Sequence, residues 1–176
     1  MNKNELKERV LAAIEENKAT IIAAGRKIDS NPEFVYKEFE TTKTVSEFVK
    51  NELVLEVEDK IAYTGCRARI NEDKNGPKVA ILGELDGISC SEHPDANSIG
   101  ASHTCGHNVQ IAGMLGAAVG LIKSGVFKDL DGKIDFIATP AEEFIELAYR
   151  SKLKAEGHIK YFGGKQELIR KGAFDD

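Results

Sequence analysis

No stretch of about 18 consecutive apolar residues occurs in the sequence, so no helix is expected to span a membrane. The opening residues, Met1-Asn2-Lys3-Asn4-Glu5-Leu6-Lys7-Glu8-Arg9, lack the apolar core of a secretory signal, and a cytoplasmic protein is expected. Basic residues are in deficit: 24 Lys and Arg face 29 Asp and Glu, a net charge of -5. A nucleic-acid footprint would be basic and patchy, so this balance argues against one. Cysteine is scarce. Cys66, Cys90 and Cys105 are odd in number and irregularly spaced, which argues against a disulfide framework and leaves free thiols or a metal ligand. Trp is absent, as are repeats and low-complexity tracts. What remains is 176 residues, 41% apolar and 30% charged, enough for one ordinary soluble domain with its own core.

The apolar periodicity predicts a helix over Glu5–Ile28, with Asn4 as a cap, and a second over Glu40–Asn51. Short strands are expected over Val54–Val57 and Cys66–Ile70. Lys78–Leu85 and Gly132–Thr139 carry the continuous apolar runs of buried strands. Ser89–Ser102 reads as a loop, and Asn108–Lys123 as a long helix whose small residues permit close approach to a sheet. Alternating strands and helices predict an α/β fold: a mixed, mostly parallel sheet with helices on both faces. Ligands bind such sheets outside the carboxyl ends of the strands. Glu84–Asp86, Cys105–His107 and Glu142-Glu143 all fall there.

Cys105-Gly106-His107 offers a thiolate and an imidazole, good ligands for Zn and other divalent transition metals. Taken alone, a buried Cys beside a polar loop His explains it equally well. Glu142-Glu143 follows a buried strand and Pro140, where packing gives no reason for two carboxylates. In an extended segment the two would point to opposite sides, one to bind metal and one to take a proton from water. A lone Glu-Glu pair is otherwise a solvated acidic loop. Asp86 could orient a metal-bound imidazole, or simply form a turn before Gly87. His103 is a further ligand or a loop residue; His93 and His158 read as surface groups.

The order of segments resembles the di-metal aminoacylase and carboxypeptidase family, in its amidohydrolase branch and close to aminobenzoyl-glutamate hydrolases. The residues that carry it are Asn31-Pro32-Glu33-Phe34 through Glu38 and Thr41, then Gly83-Glu84-Leu85-Asp86-Gly87-Ile88. His103-Thr104-Cys105-Gly106-His107-Asn108, Thr139-Pro140-Ala141-Glu142-Glu143 and Gly172-Ala173-Phe174-Asp175-Asp176 continue it. The resemblance implies Cys105, His107 and Glu143 as metal ligands, Glu142 as general base or acid, and Asp86 as their support. It implies one or two Zn, Mn or Co ions and a small amide or peptide substrate. Asn108 replaces the Asp of many relatives, and Phe144–Phe162 is longer and more charged than the Gly-rich stretch usual there.

Family members are longer. Residues 1–176 are therefore expected to be the N-terminal part of a catalytic metallohydrolase domain, without its lid or dimerisation domain and its later His ligands. For such a piece weak or absent metal, no measurable hydrolysis and self-association are expected. The alternative is a non-catalytic α/β module that binds a metal or a partner.

Overall fold

The computed structural model of the protein describes residues 2–175; Asp176, which closes the Gly172–Asp176 stretch, lies outside them. Helix α1 (Lys3–Glu16) is capped by Asn2, whose side-chain oxygen accepts the N–H groups of Asn4 and Glu5 at 3.0 Å. The Glu5 carboxylate accepts the Asn2 N–H in return, so two otherwise orphaned donors are satisfied and the cap falls before Asn4. The single helix expected over Glu5–Ile28 is two. Helix α2 (Lys18–Asp29) follows a break at Asn17, whose side chain donates to the Ala13 carbonyl at 2.8 Å. Helix α3 (Phe39–Phe48) runs into one π-helical turn, Val49–Leu53, that ends at left-handed Val54 (φ 55°). Val54 therefore starts no strand, and strand β1 is displaced to Val57–Ile61.

There follow β2 (Gly65–Ile70), β3 (Lys78–Glu84), the two-residue strands β4 (Ile88–Ser89) and β5 (Ala101–Ser102), and α4 (His107–Lys123). After a 3-10 turn come β6 (Lys133–Thr139), α5 (Leu147–Ala155) and α6 (Gly164–Arg170). The main sheet has the order β1-β2-β6-β3 and is mixed, as expected. Its parallel share is smaller than expected: β3 pairs with β6 in parallel, whereas β1–β2 and β2–β6 are antiparallel. Connection length accounts for the β1–β2 and β3–β6 pairings. A short turn over Ala62–Thr64 joins β1 to β2, and only β3 reaches β6 through a helical crossover, α4.

Side chains alternate across the sheet. Cys66, Ala68 and Ile70 of β2 and Ile134, Phe136 and Ala138 of β6 pack against α2, α3 and α4 in the main core. On the other face Ile137 meets Leu168 of α6, Ala173, Ala80 and Leu82. Helices thus lie on both faces, but α6 covers only part of the second, which also carries Arg67, Lys78 and Asp135. Gly83 on β3 sets the depth of α4: a Cβ there would lie 3.0 Å from Ile111 Cα. That approach seats the start of α4 beside the carboxyl end of β3.

Candidate metal centre

Three segments meet at the carboxyl end of the parallel β3–β6 pair. Strand β3 ends at Glu84, with buried Leu85 and Asp86 beyond it. Helix α4 starts at His107, entered through left-handed Gly106 (φ 87°). Strand β6 ends at Thr139, and Pro140, left-handed Ala141 (φ 51°), Glu142 and Glu143 follow. The donor atoms of Cys105, His107 and Glu143 lie within 4.8 Å of one another, as do those of Glu84, His107 and Glu142.

His107 is buried and shared by both groups. Its Nδ1 lies 2.8 Å from the Asp86 carbonyl, which can only accept, so Nδ1 carries a proton. Nε2 then faces Glu84 at 2.9 Å, Glu142 at 3.8 Å and Glu143 at 3.9 Å. Both glutamates of the pair thus turn toward one imidazole, not to opposite sides. The segment is not extended: Ala141 is left-handed, and the Asp86 carboxylate gathers the N–H groups of Glu142 (3.1 Å) and Glu143 (2.8 Å). Asp86 therefore orders the acidic pair as well as the imidazole, and it orients the ring chiefly through its backbone carbonyl.

Further residues hold the pair from behind. Glu38, fully buried, accepts the Ala141 N–H at 2.8 Å and the Thr64 hydroxyl at 2.5 Å. Arg150, also fully buried, donates to the carbonyls of Glu143, Ile145 (2.8 Å) and Phe162 (2.6 Å). The Phe144–Phe162 segment, helical only over α5, thus folds back to fix the end of the site. The Lys165 ammonium pairs with Glu84 and lies 3.6 Å from Glu142. Sequence reasoning singled out neither Glu84, Arg150 nor Lys165 as a site residue. For Glu84 a signal existed: it precedes Asp86 by two positions and so shares its side of the strand. Arg150 and Lys165 have no local signal.

Burial opposes charge on His107, but hydrogen bonds and charge from Asp86 and Cys105 outweigh it and push the imidazole up to about 11. Burial also raises the Glu143 carboxyl; His107 opposes the shift, and Asp86, Glu142 and Glu84 add to it. Four carboxylates around one imidazole are a concentration of negative charge that a divalent cation would neutralise. The thiol, imidazole and carboxylate set suits Zn, Mn or Co. The residues therefore fit such an ion. His103 is in neither donor group. It is buried, both its ring nitrogens lack a hydrogen-bond partner among the described residues, and burial lowers it to about 4, so it is neutral at pH 7.

No protein-family profile matches the chain. Among characterised proteins it is 36% identical over 145 residues to thermostable carboxypeptidase 2 of Saccharolobus solfataricus, covering 79% of this chain and 36% of that protein. It is 31% identical over 127 residues to N-acetylcysteine deacetylase of Bacillus subtilis, covering 70% of this chain and 33% of that protein. A Bacillus subtilis structure, a dinuclear metal-binding peptidase of the M20 family, superposes with a TM-score of 0.63 at 29% identity, over 82% of this chain and 40% of that one. The chain is homologous to carboxypeptidases, N-acyl amino acid amidohydrolases and a dinuclear metal-binding peptidase of the M20 family. These homologues are hydrolases, and the resemblance carried by the sequence motifs holds. The chain spans 36% of the length of the carboxypeptidase it matches.

Proposed function

We propose that the whole protein hydrolyses the amide or peptide bond of a small N-acyl amino acid, a short peptide or an aminobenzoyl-glutamate-like conjugate. Residues 1–176 would be the N-terminal part of its catalytic domain. The observation that carries the reading is the convergence of Cys105, His107 and Glu143, with Glu142 beside them, at the carboxyl end of the parallel strand pair. Cys105, His107 and Glu143 would hold a divalent ion, Zn, Mn or Co, with a second ion possible beside it. When bound, the ion supplies a Lewis acid that polarises the scissile carbonyl and makes water a better nucleophile.

The chain's own groups do the rest. Glu142 is the more exposed of the pair, with 36% of its side chain accessible against 28% for Glu143. It takes the proton from the attacking water and passes it to the leaving nitrogen as the C–N bond breaks. Asp86 keeps both glutamates facing the centre, and its carbonyl keeps the Nε2 edge of His107 turned there. A cytoplasmic setting and a homo-oligomer belong to the same proposal. The three unpaired cysteines accord with the first, and no helix among the described residues is long and apolar enough to cross a membrane.

The test is turnover of N-acyl amino acids by the purified whole protein loaded with Zn, Mn or Co. Glu142→Gln should keep the ion and lose about 10²–10⁴ in rate. Glu143→Gln should weaken ion binding. Full activity in Glu142→Gln would move the base elsewhere. Ion binding with no turnover of any such substrate would leave the non-catalytic module.

A further inference from the structure

Helix α3 and the β1–β2 hairpin enclose a groove of about 400 Å³ that no donor of the metal centre lines. Small-molecule sites are of this size. One wall is a single face of α3, where Phe39, Thr42, Lys43 and Ser46 recur at helical spacing. The other wall is Lys60, Tyr63 and Thr64 of the hairpin. Phe39 is 55% exposed, and its ring stands edge-on to that of Tyr63 with 6.2 Å between centroids. Tyr63 is backed in turn by Tyr36 at 6.0 Å and His158 at 5.4 Å.

The backbone that presents this wall is strained. Lys60, Ala62 and Tyr63 are all left-handed, with φ of 63°, 49° and 81°. Glycine would adopt that conformation at lower cost. Ala62 is fully buried and Tyr63 packs among rings, so packing accounts for those two side chains. Lys60 is exposed and has no ion-pair partner among the described residues, so packing gives no reason for it. Strain of this kind collects at ligand clamps.

Charge says what the clamp would hold. Lys43, Lys50 and Lys60 line the groove against the carboxylates of Glu47 and Asp59. Lys50 is held by Asp59 at 2.9 Å, and Glu47 lies 3.8 Å from Lys27. Lys43 has only an exposed contact of 3.7 Å with Glu40, which binds it weakly. Lys43 and Lys60 are therefore left for an anion. The threonine hydroxyls have no proton to offer one: Thr42 donates to the Thr64 carbonyl, and Thr64 donates to Glu38.

We propose that the groove is a ligand site separate from the metal centre and that it takes an aromatic carboxylate. The ring of the ligand packs against Phe39 and Tyr63, and its carboxylate is held by Lys60 and Lys43. This inference stands independently of the metal-binding reading above.

The experiment follows the backbone amide NMR signals of the chelator-treated protein during titration with 3-phenylpropionate and, separately, with 3-phenylpropan-1-ol. The acid should move the signals of residues 39–46 and 60–64 and saturate with a Kd on the order of 0.1–1 mM. The alcohol lacks the charge and should bind about threefold more weakly or worse. Lys60→Met should weaken the acid about two- to fivefold, while Lys60→Arg keeps the cation and should behave as wild type. Phe39→Ala should weaken it about three- to tenfold. If Phe39→Ala does not fold, Phe39→Leu takes its place. Shifts confined to residues 105–108 and 141–144 would put the ligand in the metal centre and overturn the proposal. So would the absence of saturable shifts, equal binding of the alcohol, or unchanged binding in Lys60→Met or in the Phe39 variant.

Discussion

At the scale of single residues, the site depends on a few buried groups that each satisfy several partners. Asp86 uses its carboxylate for two backbone N–H groups and its carbonyl for an imidazole. Glu38 is a harder case, because a fully buried carboxylate must be either charged at a cost or neutral. Burial first, and then the charge of Asp86, raise it from 4.5 to about 7, against the hydrogen bonds from Thr64 and Ala141. Between those values the folded chain holds a proton that the unfolded chain has released. The contribution of Glu38 to stability is thus fully present below about 4.5 and is lost as pH rises through about 7. The shift corresponds to roughly 3 kcal/mol. Glu38→Gln keeps an acceptor for the Ala141 N–H and cannot ionise. Thermal melts from pH 4 to pH 8 should show wild type losing stability over this window and the variant losing less. Equal slopes in the two proteins would assign the effect to another group.

Close approach governs the elements. Helix α4 lies on β3 because Gly83 has no side chain, and α6 reaches the end of β6 because Gly164 has none. Gly164→Ala would drive a methyl group into the Pro140 carbonyl, and the backbone has to move. Overpacking of this kind typically costs about 1–3 kcal/mol, and here it would also withdraw Lys165 from Glu84. Gly113 in α4 is the opposite case. It is exposed, it has ordinary helical geometry, and nothing lies within 4 Å of its added Cβ. Gly113→Ala should stabilise the chain by about 0.5–1 kcal/mol through helix propensity alone. Urea unfolding midpoints of the two variants should therefore move in opposite directions. Movement in the same direction would show that α6 is not seated through Gly164 as described.

Taken as a whole, the molecule has an uneven exterior. Helices close one face of the sheet, while α6 covers only part of the other. Strand β3 is an edge of the sheet, and Val79 on it is 53% exposed. An edge strand with an apolar side chain and unpaired backbone groups is a template for pairing with a second chain. Self-association is therefore expected as concentration rises, with light scattering giving a mass above the 19.2 kDa of one chain. Val79→Lys should lower that mass toward the monomer, since charge on an edge strand opposes pairing. A monomer at all concentrations in wild type would show that this edge is not adhesive.

The candidate site was legible in short patterns taken together, not one by one. Cys105-Gly106-His107 at a helix start and Glu142-Glu143 after a buried strand and a proline each have a plain packing or loop explanation alone, and they gain force because both fall at the carboxyl ends of strands. Strand and helix periods likewise located β3, β6 and α4 from local sequence. What local sequence could not decide was which distant residues share the space between those ends. Glu84 meets His107, Glu38 meets Ala141 and Lys165 meets Glu84 across separations that only the β3–α4–β6 crossover and the docking of α6 bring together. The inward turn of both glutamates and the single parallel pairing also depend on tertiary contacts. Side-chain chemistry and period are properties of the local chain. The partner a side chain finds, and the direction it faces, are set by how close the backbones can come, which here turns on Gly83 and Gly164.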